Sequence, residues 1–100
     1  MTWNMIELDV IRWAEARGII EHSDSKTQLL KAFSEMGELS DAICKRDSIG
    51  IVDGLGDVLV CLINLAAIED LDLTRCLEHA YNEIKDRKGH MNAEGTFVKE

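Results

Sequence analysis

Four carboxylates at helical spacing hold most of the chemical potential of this 100-residue chain. Glu35 and Glu38 lie three residues apart and Asp53 and Asp57 four apart, so each pair shares one face of a helix. Glu35 and Glu38 share their sector with Ala32, Leu39 and Ala42, which should point inward, and Asp57 opens into the apolar run Val58 to Ile68. Carboxylates in such places are partly desolvated and repel each other, which raises their pKa and opposes folding. A bound divalent cation removes the conflict by supplying positive charge. Hard oxygen ligands without a neighbouring His or Cys point to Mg²⁺, or Mn²⁺, rather than zinc. A single E-x-x-E pair usually marks a solvated helix face. Two paired sets on consecutive helices, both beside apolar neighbours, favour a metal site. Gly37, Gly54 and Gly56 stand next to these acids. Each costs a helix about 1 kcal/mol relative to alanine, so close helix approach or ligand access is expected there.

The elements that must position these acids are helical. The chain has no proline, and its apolar residues recur at i, i+3, i+4 and i+7. Asn4 with Glu7 opens a first helix over 4–17, with Ile6, Val10, Trp13 and Ala14 on one face and Gly18 ending it. Residues 19–24 form a connection. Ser25 and Gln28 make a capping box for a second helix over 25–45, whose apolar set is Leu29, Leu30, Phe33, Met36, Leu39, Ala42 and Ile43. Asp47 or Ser48 caps a third helix over 48–68. Leu71 and Asp72 restart the chain into a fourth over 72–88, with a cationic last turn of Lys85, Arg87 and Lys88 before Gly89. The tail, 89–100, reads as extended, with Phe97 and Val98 as anchors. The expectation is one all-α domain over 1–100, a four-helix bundle with a short extended tail. From Val58 to Ile68 the third helix is apolar all round, which marks a helix enclosed by protein. Three short helices would struggle to enclose it, so a homodimer or homotetramer is expected.

Composition narrows the function classes. The apolar share of 46% and charged share of 30% suit a globular domain. A net charge of -8 disfavours nucleic acid and anionic membrane as partners. A polyanionic substrate would need cations between it and the protein, or a local basic patch. Cys44, Cys61 and Cys76 are odd in number and lack a C-x-x-C pair, so they read as reduced, buried small hydrophobes. No signal pattern opens the chain. The stretch Val58 to Ile68 is broken by Asn64 and is too short to span a bilayer. A cytoplasmic location is expected.

Several blocks together resemble the MazG-like branch of the all-α NTP pyrophosphatases. They are Glu35-Met-Gly-Glu38, then Asp53-Gly-Leu-Gly-Asp57-Val-Leu-Val, then Tyr81 to Gly89, and finally Gly95-Thr-Phe97-Val98-Lys99. The resemblance covers roughly residues 25–99. It implies a helical homo-oligomer that converts a nucleoside triphosphate, ribo or deoxy, and water into the monophosphate and pyrophosphate with Mg²⁺. The family's metal motif is E-x-x-E followed by E-x-x-D. Glu35, Glu38 and Asp57 match it, while the remaining glutamate falls on Gly54, and Asp53 is the substitute one position away. Glu38 or Glu35 is implied as general base. Asn82 and Lys85 resemble the family's substrate contacts. Lys31 suits either a phosphate contact or an ion pair with Glu35, and Trp13 either base stacking or core packing; Trp3 is equally open. The alternatives are a phosphoribosyl-ATP pyrophosphohydrolase-like enzyme of the same superfamily, and a non-catalytic helical binding module with a decayed site.

Overall fold

The computed structural model describes residues 1–100. Five helices are followed by a short antiparallel hairpin: α1 (Trp3–Ala16), α2 (Ile19–His22), α3 (Ser25–Cys44), α4 (Ser48–Ile68), α5 (Leu73–Ile84), β1 (Gly89–Met91) and β2 (Phe97–Lys99). Each long helix opens on a side-chain oxygen that accepts a backbone N–H of its first turn. Thr2 serves Met5 (3.3 Å), Asp24 serves Thr27 (2.7 Å), Asp47 serves Gly50 (3.0 Å) and Asp72 serves Arg75 (2.8 Å). The hydrogen bonds from Thr27 hold the Asp24 carboxyl below its ordinary pKa. Two expected caps are therefore displaced. Asp24, not Ser25, caps α3, and the Ser25 hydroxyl instead donates to Glu69 at the far end of α4. Thr2, not Asn4, caps α1.

Glu7 is freed from α1's own start and is 96% buried, since only 4% of it is exposed. Its carboxylate accepts the N–H groups of Leu73 (2.6 Å) and Thr74 (3.2 Å) and the Thr74 hydroxyl. A buried acid thus satisfies the orphan donors at the start of α5, where the helix dipole favours negative charge. Gly18 does end α1, with φ 77° and its N–H on the Glu15 carbonyl (3.0 Å). The expected connection after it contains the one-turn α2.

The long pair α3 and α4 is antiparallel, with Ala42 beside Gly50, Leu39 beside Gly54 and Ser25 beside Glu69. Its core is made of small side chains: Ala14, Ala32, Ala42, Cys61, Ile63 and Ala66 are buried. Most of α3's expected apolar set is not, since Leu29, Leu30, Phe33, Met36 and Ile43 are all exposed. Small residues let the helix backbones approach, and the large ones are left on the outside. Only 10 of 100 residues are buried, too few for a self-sufficient core of this length. The Cα radius of gyration is 15.9 Å, against about 13 Å for a compact domain of this size. Helix α4 has 21 residues and is long and apolar enough to cross a membrane on length and composition alone. The residues before Val58 thus extend the apolar stretch beyond the run considered from sequence. Yet α4 carries Asp53, Asp57 and a buried Asn64, groups that lipid penalises, and lies along α3.

Helix α5 ends at Ile84, four residues short of the expected Lys88. The Arg87 N–H turns back to the Ile84 carbonyl (2.9 Å), and the Lys88 carbonyl accepts from Glu100 (3.0 Å), so the chain is drawn out of the helix into a hairpin. The tail is extended, as expected, but paired: Gly89 faces Lys99, His90 faces Val98 and Met91 faces Phe97. Asn92 closes the turn by accepting from Glu94 (3.1 Å) and Thr96 (2.8 Å). A Cβ at Gly89 would strike the Phe97 ring and the Val98 carbonyl. Phe97 and Val98, at 48% and 39% exposed, hold the hairpin together but do not anchor the tail in the core.

Candidate active site

The acids are brought together by the close contact of α3 with α4. A Cβ at Gly54 would lie 2.9 Å from the Leu39 Cβ and 3.1 Å from its Cα, so only glycine permits this approach. Gly54 is thus a packing notch. Gly37 and Gly56 have no atom within 4 Å of a built Cβ, so packing does not require them.

Across this notch Glu35 and Glu38 of α3 face Asp57 of α4. The Glu35 carboxyl lies above its ordinary pKa for four causes. The largest is the neighbouring Glu38 carboxyl, which favours a proton held between the two groups, followed by partial burial and then repulsion from Glu38 and Asp57; Lys31 opposes them. The Glu35 Oε2 is buried and has no hydrogen-bond partner. A buried, unpaired carboxylate oxygen among like charges lacks a counter-charge. Glu38, Asp53 and Asp57 line an open recess of about 300 Å³ between the helices, together with Asp41, Lys45 and Asp47. Lys45 is bound to Asp41 at 2.9 Å, which holds its ammonium above its ordinary pKa, so it is already committed. Lys31 makes no ion pair with Glu35 within 4 Å, but its charge reaches Glu35 and the Cys61 thiol. Burial is the main cause that pushes the Cys61 thiol up.

No three of these side chains close into a cage around a metal ion. Mg²⁺ does not need one, because it keeps several waters and binds through one or two carboxylates plus substrate phosphates. The all-oxygen donor set and the unpaired Glu35 oxygen fit that ion.

Trp13 is 45% exposed, so it is not a core residue. The Arg17 guanidinium stacks 4.5 Å from its ring centroid. A second recess, of about 390 Å³, lies between α1 and α4 and is lined by Asp9, Val10, Trp13, Asp57 and Val60. Asp57 borders both recesses. Asn82 is elsewhere: it lines a recess with Arg87, Lys88 and Lys99 beside the hairpin, and that recess holds none of the four acids. Helix α5 packs on α1 and α4 and makes no comparable packing with α3. Lys85 caps the exposed end of α5. One chain therefore unites the acids with each other and, through Asp57, with Trp13. It does not bring Asn82 or Lys85 to them. Asp9 escaped the reading of the sequence, although its i to i+4 spacing from Trp13 was available as a signal.

The family model of the MazG nucleotide pyrophosphohydrolase domain matches residues 23–92. The chain belongs to the MazG nucleotide pyrophosphohydrolase family. The matched MazG segment includes α3, α4, α5 and β1, hence all four acids, and leaves α1 outside. A curated relative is described as an uncharacterized 18.2 kDa protein in the rep-hol intergenic region of Haemophilus phage HP1 (strain HP1c1). It is 33% identical over 64 residues, which are 64% of this MazG chain and 39% of the phage protein. The chain thus spans well under half of that relative. No solved structure matches.

Proposed function

We propose that this MazG-family chain hydrolyses a nucleoside triphosphate to the monophosphate and pyrophosphate with Mg²⁺. One observation carries the reading: Glu35 feels the charges of both Glu38 and Asp57 beside the Gly54 notch, and its buried oxygen has no partner. Glu35, Glu38 and Asp57 would hold the ion, with Asp53 adding a ligand from the same recess. Bound Mg²⁺ supplies charge neutralisation of the phosphates and lowers the pKa of a coordinated water. The exposed Glu38 is the better placed base, because it lines the recess open to solvent whereas Glu35 does not. It would take the proton of a water attacking the α-phosphorus; the α–β anhydride bond breaks, and the bridging oxygen leaves with pyrophosphate. Lys31 would meet phosphate oxygens as a point charge near the acids.

The assembly we infer is a homo-oligomer. Leu29, Phe33, Met36 and Ile43 form an exposed apolar stripe on α3, about 80–180° around the helix from Glu35 and Glu38. Val52, Leu55 and Leu59 are exposed on α4. A second copy is the occupant that matches this surface, and it would leave the acidic recess free. Asn82 and Lys85, which do not reach the acids in their own chain, would then serve a neighbouring copy's site. The test is pyrophosphate release from a panel of ribo- and deoxyribonucleoside triphosphates, with Mg²⁺ and with EDTA. Magnesium-dependent release of both products is expected. A folded oligomer that turns over no triphosphate would instead support a binding module in which the missing glutamate at Gly54 has cost the activity.

A further inference from the structure

The recess between α1 and α4 has the parts of a base-reading site. Its volume of about 390 Å³ falls in the range of small-molecule pockets. Trp13 offers a half-exposed indole, and Arg17 is fixed over that ring, with its Nη1 donating to the Trp13 carbonyl at 3.2 Å. Val10 and Val60 supply apolar walls. One helical turn before Trp13, on the same face, stands Asp9. Asp9 is exposed to solvent, and its carboxylate enters no hydrogen bond or ion pair within the chain, so it is free to accept from a ligand. Asp57 closes the recess and also borders the acidic one. A single ligand can therefore lie with its ring at Trp13 and its phosphates at the acids.

We infer that Asp9 selects the base, favouring nucleotides whose ring carries an exocyclic amino group. This inference rests on the pyrophosphohydrolase reading for its catalytic test but not for its binding test. Stacking on Trp13 tolerates every base, because each has a π-face. Asp9 does not, since an ionised carboxylate only accepts hydrogen bonds. Cytosine and adenine present an amino donor where uracil, thymine and hypoxanthine present a carbonyl oxygen; guanine adds a second donor in its 2-amino group, which hypoxanthine lacks. A carbonyl facing Asp9 leaves two acceptors opposed, and the C2–H of hypoxanthine leaves the carboxylate without the donor that guanine offers, at a cost that corresponds to about ten- to a hundredfold in affinity. The α1 wall of this recess lies outside the segment shared with the family, whereas the acids lie within it. Base choice is thus carried by a part of the chain separate from the phosphate chemistry.

The experiment uses the full chain with Trp3→Phe, which leaves Trp13 as the lone tryptophan. Quenching of its fluorescence by CMP against UMP, and by GMP against IMP, reads binding without turnover. Values of kcat/KM for the matching triphosphates read the same choice in catalysis. The expected result is tighter binding of the amino-bearing partner in both pairs, by about tenfold or more. Asp9→Asn, whose amide both donates and accepts, should erase that ratio. Trp13→Ala should raise KM for all bases alike and keep the ratio. Circular dichroism confirms that each variant is folded. Equal binding within both pairs, or a ratio that survives Asp9→Asn, overturns the inference. Selective, Asp9-dependent quenching without turnover of any triphosphate upholds it and removes only the reaction. Absence of quenching by every monophosphate removes the base site whatever the activity.

Discussion

In the proposed reaction Glu35 and Glu38 do different work, although they sit one turn apart on the same helix. Glu38 is exposed and borders the recess, so its loss should remove the proton acceptor and a ligand without disturbing packing. Glu38→Ala is expected to lower kcat by about 10²- to 10⁴-fold while the helical circular dichroism stays the same. Full activity in that variant would end the assignment. Glu35 is the strained member. Its raised pKa means that the native state favours the protonated carboxyl. Its contribution is thus favourable below the ordinary glutamate range and is lost as pH rises through the raised value. In EDTA at neutral pH, Glu35→Gln should therefore melt higher than the parent, and the gap should close as the pH is lowered. Added Mg²⁺ should stabilise the parent and not the variant. A variant that melts lower than the parent in EDTA would show that the negative charge is not the liability inferred here. The Trp13 ring shows the limit of reading single residues. Its place in an apolar stripe favoured core packing, and only its exposure beside Asp57 makes it a candidate for a ligand contact.

At the scale of elements, the α3–α4 pair is set by small residues. Ala32, Ala42, Gly50 and Gly54 let the two backbones close up, which places Asp57 opposite Glu35. Gly54→Ala would press a methyl group onto the Leu39 backbone. It should cost about 1–3 kcal/mol in urea unfolding and lower activity as the acids move apart. An unchanged urea midpoint would mean that the helices can separate freely. The same contact bears on the departure from the family motif: a glutamate at 54 would have to displace Leu39, whereas Asp53, one position away, lines the recess with Glu38 and Asp57. Most helix boundaries were legible because caps and periodicity are local. The start of α3 at residue 25 was legible, but its cap was misplaced by one residue, since Asp24 and Ser25 both suit a cap, and the choice depended on Ser25 bonding to Glu69, 44 positions away. The end of α5 was set by the hairpin, a pairing that spans Lys88 and Glu100 and leaves no helical period to read.

The molecule as a whole is under-buried. Its core is mostly alanine-sized, and a long row of large apolar side chains faces outward on α3 and α4. A stable isologous interface of about 1,200–2,000 Å² would cover it. Sedimentation should give a multiple of the 11.2 kDa chain mass, and Phe33→Glu should shift the population toward monomer. If the parent sediments as a monomer at micromolar concentration, the assembly is wrong and Asn82 and Lys85 have no route to the acids.

By itself the sequence determined the helical class, the starts of most helices, the pairing of the four acids and the family resemblance. These are short-range properties: a 3.6-residue period, a capping oxygen, an i to i+4 face. Tertiary structure alone decided the rest. It made Gly54 a packing notch, turned Glu7 from a local cap into the anchor of α5, and put Asp9 and Trp13 beside Asp57. It also kept Asn82 with the hairpin and away from the acids of its own chain. Each of these depends on which helix faces come within a few ångströms of each other, and helical periodicity specifies a face without naming its partner.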